Sequence, residues 1–168
     1  MIAVREYRPA AILALADPAA PLYYVAGGGR IFATVEAGDS HDLPYVTGLR
    51  AADLTGADAA GPRAIRRALA LLRLTARGQA GIGVASEVHI DAAHGLTLVA
   101  ERPRVPIELG WSRFEEKLAH VGVVLGMWAG REPEMVSVRC TNESEVIVRT
   151  RAAAPKPAGR SARRPTRA

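Results

Sequence analysis

The 168 residues suit one domain of ordinary size, and a hydrophobic content of 49% makes a buried core feasible, built mostly from Leu, Val, Ile and Ala because aromatics are only 5%. The net charge of +5 sits in the last eighteen residues, where Arg151, Lys156, Arg160, Arg163, Arg164 and Arg167 occur without an acid; without those six, residues 1–150 stand at −1, which gives no support to a basic nucleic-acid-binding face on the body of the protein. The lone Cys140 excludes an internal disulfide and a C-x-x-C metal site, and no apolar run approaches the roughly 20 residues that cross a bilayer.

At the N-terminus, Arg5 and Glu6 stand where the apolar core of a signal peptide would begin. The first forty residues read as short strands. IAVREY and AILALA are divided by Arg8-Pro9, and LYYV and RIFATV flank Ala26-Gly27-Gly28-Gly29. The second pair is a hairpin signal, with β-favouring residues on either side of a glycine turn that accepts positive φ. The connector DLPYVTGLRAADL, residues 42–54, is too apolar for a free loop. Pro44 disfavours helix at Leu43 and Gly48 permits a turn, so Leu43, Tyr45, Val46 and Leu49 are expected to pin it onto a hydrophobic surface.

A helix then opens at Gly61-Pro62, since proline suits the first turn. Ile65, Leu69 and Leu72 recur at helical spacing, while Arg63, Arg66, Arg67 and Arg73 are left for solvent, and Gly78 can end the helix. From residue 80 the period changes to two. EVHID, LTLVA and VPIELG alternate apolar and polar positions and are joined by short turns, which predicts an antiparallel three-strand meander. Ser112 to Glu115 has the pattern of a capping box, and Phe114, Leu118, Val121, Leu125 and Trp128 then form one apolar helical stripe. Two strands close the order. MVSVRC sets Val136, Val138 and Cys140 against Ser137 and Arg139, and EVIVRT sets Val146 and Val148 against Glu145, Ile147 and Arg149. The predicted class is α+β, an antiparallel sheet with two helices packed on it. Residues 151–168 are Pro, Ala and Arg without apolar period and read as disordered.

No catalytic constellation emerges. AGGGR lacks the Gly-Lys-Ser/Thr and following helix of a phosphate-binding loop. His41, His89, His94 and His120 are scattered without a patterned set of partners. Glu115 and Glu116 are adjacent and suit a solvated helix start. No serine or cysteine has an evident base, and Cys140 reads as a small buried apolar residue.

The order and wording of four stretches carry a resemblance: VREYRPAAILAL, LYYVAGGGRIF, DLPYVTGL with its Leu-Pro-x-x-x-Gly pattern, and IELGWSRFEEKLAHVGVVL followed by the final hairpin. From about Ala3 to Thr150 the chain resembles the C-terminal periplasmic part of the bacterial cell-division protein family FtsQ, called DivIB in Gram-positive bacteria. The resemblance implies an FtsQ-type β domain over residues 17–150, with residues 1–16 the end of a POTRA module or leading strands. It also implies a non-enzymatic divisome scaffold without cofactor or small-molecule substrate, on the periplasmic side of the inner membrane and anchored in full-length form by a single membrane pass. The cytoplasmic tail, transmembrane helix and most of the POTRA module of that family have no counterpart here.

The partners implied are FtsB/FtsL-like division proteins, received by β-strand addition on the hairpin of residues 136–150. Carried over by position, Arg139 and Cys140 belong to the first contact strand, and Val146, Val148 and Arg149 to the second. Cys140 stands where an aromatic is common in the family. A plainer reading of the hairpin, two core strands whose alternation explains Val146 and Val148, stays open. The arginine-rich tail is a solubilising terminus, a weak contact to anionic lipid headgroups, or a nucleic-acid contact. The last defines the main rival, a basic-tailed nucleic-acid-associated protein; an enzyme accessory domain is the second.

Overall fold

A computed structural model of the chain describes residues 6–39, 42–55, 59–78, 82–142 and 145–151. The strands are β1 (Pro9–Ala14), β2 (Leu22–Ala26), β3 (Ile31–Thr34), β4 (Tyr45–Thr47), β5 (Ala85–Asp91), β6 (Gly95–Ala100), β7 (Ile107–Gly110), β8 (Met135–Arg139) and β9 (Ile147–Thr150). The helices are α1 (Gly61–Ala76) and α2 (Phe114–Met127). The expected strand over residues 2–7 falls mostly on residues 1–5, outside the described residues, as do His41 and the tail of residues 152–168.

The nine strands of the described residues join one sheet in the order β3-β2-β1-β4-β5-β6-β7-β8-β9. Five of its eight pairings are antiparallel, and three, β1 with β4, β4 with β5 and β7 with β8, are parallel. The α+β class with two helices is as the sequence suggests. The meander β5-β6-β7 also forms as its alternation predicts. The glycine turn closes the β2–β3 hairpin, with Gly29 at φ +89° and its N–H donating to Ala26 O at 2.8 Å.

The connector does more than lie on a surface. Its Tyr45–Thr47 segment is a three-residue strand near the middle of the sheet, parallel to both neighbours. Pro44 has no N–H to satisfy, and its carbonyl accepts from Ile12 N at 2.9 Å. Gly48 then turns the chain at φ +93°, and a Cβ there would collide with the carbonyl oxygen of Ile90. Only glycine meets both demands.

Registration across the sheet places Leu13, Val46, Val88, Leu98, Ile107, Val138 and Val148 in one transverse row. The first six are wholly buried. Buried residues of both helices join the same cluster: Ile65, Ala68, Leu69 and Leu72 from α1, and Leu118, Val121 and Leu125 from α2. The opposite face carries the row Thr47, His89, Thr97, Glu108, Arg139 and Ile147. That face is mostly polar and at least partly accessible over β5–β8, as period-two alternation requires when helices cover one side only, and over β9 it carries the exposed Ile147.

Two local expectations fail. Ser112 does not cap α2: the N-cap is Arg113, in the left-handed region at φ +58°, and no side chain bonds to the first-turn amides. Val136 does not point inward. An irregularity between Met135 and Ser137 shifts the phase, so Met135, Val138 and Cys140 are buried while Val136 is 41% exposed.

Candidate functional site

Among the described residues β9 is the last strand of the sheet and pairs only with β8. Its phase is fixed at one end by Arg151 N, which donates to Glu134 O at 2.9 Å. Backbone groups alternate in direction along a strand, so the amides of Arg149 and Ile147 also face β8. Those of Val148 and Thr150, with their carbonyls, face the other way, where no described strand lies. A row of outward backbone donors and acceptors is a template for an added strand.

Side chains alternate at right angles to this. Val146 and Val148 are half-buried and pack against the core, while Ile147, 49% exposed, and Arg149 project from the open face. Val136 on the neighbouring strand adds a second exposed apolar group to the hairpin. The opposite sheet edge, β3, also has no second partner among the described residues, but its exposed positions are the small Ala33 and Thr34.

The five residues singled out from sequence come together on this hairpin in different roles. Arg139 ends β8 and is exposed, its Nε 2.6 Å from Glu108 Oε2. The hydrogen bond and charge of Glu108 hold the guanidinium pKa above its usual value. Cys140 is fully buried, with its N–H on Glu108 O at 2.8 Å and its Sγ donating to Asn142 O at 3.5 Å. Burial raises the thiol pKa, against a smaller lowering by the charge of Lys117. The Cys140 side chain therefore supports the hairpin from beneath. Val146 and Val148 anchor the edge from the core side, and Arg149 stands on its exposed face.

Two residues carry no functional signal in the sequence. Ile147 looks like the polar-phase partner of two valines, and only its position on the last strand gives its exposure meaning. Lys117, within the acidic start of α2, is 3% exposed, and its Nζ donates to Leu109 O at 2.8 Å, tying α2 to β7.

Elsewhere the polar groups serve local structure. His89 Nδ1 lies 2.8 Å from Thr47 Oγ1, whose hydroxyl is also 2.6 Å from Glu87 Oε1. His94 Nδ1 lies 3.0 Å from Asp91 Oδ1. The amides of His94 and Ala93, both donating to the same carboxylate, lower the Asp91 pKa and shape the β5–β6 turn. Among the described residues, no group of three or more His, Cys, Asp and Glu side chains converges, and no helix is long and apolar enough to cross a membrane.

No family model matches the chain. It is 37% identical over 126 residues to the cell division protein FtsQ of Anaeromyxobacter sp. (strain K), covering 74% of this chain and 41% of that protein. It is 29% identical over 143 residues to the cell division protein FtsQ of Geobacter sp. (strain M21), covering 80% and 51%. Against the protein of the same name from Geotalea daltonii it is 29% identical over 116 residues, covering 68% and 41%. The chain thus spans about half or less of the length of these curated relatives.

Proposed function

Because the chain belongs to the FtsQ family of cell-division proteins, we propose that it is a non-enzymatic scaffold of the division machinery that receives a partner strand on β9. The partners are FtsB- or FtsL-like division proteins, and the contact is strand addition: a partner backbone pairs with the outward groups of Val148 and Thr150 and lengthens the sheet by one strand. The observation that carries this reading is the place of β9 at the end of the sheet order, with half its backbone groups directed away from β8.

The exposed Ile147 and Val136 supply an apolar flank on one side of an added strand, and Arg139 and Arg149 supply charge for selectivity. The same charges deter indiscriminate edge-to-edge pairing. In this reading the molecule acts on the extracytoplasmic side of the inner membrane, and residues 17–150 form the partner-binding unit. β1, within the leading residues 1–16, pairs with β2 and β4 and is packed into the same sheet and core as that unit.

Titration with a synthetic FtsB-like periplasmic peptide tests the proposal. Val148→Pro deletes an outward N–H and leaves the amides of Ile147 and Arg149 on β8, so binding is lost while thermal unfolding stays cooperative. Val146→Pro perturbs the start of the same edge and weakens binding too. Full binding by both folded variants would show that the docking strand is misassigned.

A further inference from the structure

A second surface lies away from the hairpin. The N-terminal end of α1, the segment leaving β4, the end of β5 and Trp111 enclose a cleft of about 450 Å³. Its floor is apolar: Leu49, Ala64 and Ile90 are each at least nine-tenths buried. Trp111 forms a half-buried wall. Two glycines hold the walls at close range. Gly48 abuts the carbonyl of Ile90, and a Cβ on Gly61 would stand 2.5 Å from Asp53 O. The cleft is therefore built into the backbone rather than opened by a mobile side chain.

Its rim is positive. Arg63 and Arg67, one helical turn apart, are both exposed, and the Arg67 guanidinium lies 5.7 Å from the Trp111 ring centre. Among the described residues no carboxylate pairs with either arginine. Among the described lining residues Asp53 is the one acid, and its Oδ2 accepts from Arg50 N at 2.8 Å. α1 carries four arginines and no acid, and the positive end of its dipole adds to the same field.

We propose that this cleft docks an acidic peptide segment of a partner protein, which inserts one apolar side chain between Leu49, Ile90 and Trp111 and sets flanking carboxylates on Arg63 and Arg67. Charge complementarity selects the occupant: the arginine-rich C-terminal residues of the chain itself are repelled, and a carboxylate meets a bidentate donor. Concavity and the apolar floor favour an inserted side chain over a flat anionic lipid surface or a phosphate backbone. The site is independent of the β9 edge, which lies four strands from β5, about 19 Å at ordinary strand spacing.

The probe is an acetylated, amidated peptide Glu-Glu-Leu-Phe-Glu-Glu, titrated into the isotopically labelled 168-residue chain and followed by amide and indole resonances. A matched peptide with lysine for glutamate and vesicles containing one-third phosphatidylglycerol serve as comparators. Shifts clustered on Gly48, Gly61, Ala64 and the Trp111 indole support the proposal. So do an affinity at least tenfold lower in Arg63→Glu/Arg67→Glu and an unchanged affinity in Val148→Pro. Equal binding of the lysine peptide overturns it, as do displacement of the acidic peptide by the vesicles, shifts scattered over other surfaces, and no shift at millimolar peptide. Both arginines are exposed, so the charge reversal leaves the fold intact as a control.

Discussion

Arg139 Nε stands 2.6 Å from Glu108 Oε2 across the parallel β7–β8 pairing, so the residue that would greet a partner at the hairpin is already engaged within the sheet. The Arg139 side chain is 56% exposed and that of Glu108 32%, and an ion pair this open to solvent is screened and competes with water. Arg139→Ala is therefore expected to leave the thermal midpoint nearly unchanged at low and high salt. Because an added strand is held chiefly by backbone bonds, the same substitution should weaken FtsB-like peptide binding only a few-fold, seen mainly in the association rate. A loss as complete as that of Val148→Pro would instead place the binding energy in the side chain.

Gly48 is the most constrained position of the connector. Alanine there meets two costs at once, a left-handed backbone and a Cβ driven into the carbonyl of Ile90. Each is worth roughly 1–3 kcal/mol, so Gly48→Ala should lower stability by about 3 kcal/mol in denaturant unfolding. Gly28→Ala is the control: nothing lies within 4 Å of its added Cβ, and its φ is outside the left-handed range, so its effect should be much smaller.

Tyr24 sets an alkaline limit on the N-terminal half of the sheet. Burial, and then the hydrogen bond its hydroxyl donates to Asp39 Oδ2 at 2.8 Å, push its pKa up from 10.0 to about 12. The folded state holds this proton more tightly than the unfolded chain does. The contribution is therefore complete below pH 10 and is lost as pH rises toward 12. The stability difference between the wild type and Tyr24→Phe should be constant up to pH 10 and shrink above it, as measured by urea unfolding at successive pH values.

Local pattern carried much of this fold and stopped where partners are distant. The meander β5-β6-β7 was legible because each strand is long enough to show alternation and its neighbour follows directly. β4 was not: three residues show no period, and its partners β1 and β5 lie some thirty to forty positions away. Alternation alone points Val136 inward, but one extra residue in β8 inverts every face before it, a shift that composition does not mark. The alternation of Val146 and Val148 was legible, but it is the same for a central strand and an edge strand. Sheet order makes β9 an edge, and that order depends on the parallel β7–β8 crossover through α2. Lys117 and the Arg67–Trp111 contact escaped for the same reason, since each is defined by a residue on another element.

The start of α2 separates pattern from structure in a way a single substitution can read. The sequence Ser112 to Glu115 fits a capping box, and loss of a serine cap costs about 1 kcal/mol. In the fold, the first helical bond is accepted by Arg113 O, from Lys117 N at 3.1 Å, and Ser112 lies one residue too early to reach the first-turn amides. Arg113 takes the left-handed conformation and closes an ion pair with Glu116 at 2.7 Å. Ser112→Ala should therefore change unfolding free energy by no more than a few tenths of a kcal/mol, the usual range for an exposed site without a cap bond. A loss near 1 kcal/mol in denaturant unfolding would mean that the serine caps the helix in solution and that the helix begins one residue earlier.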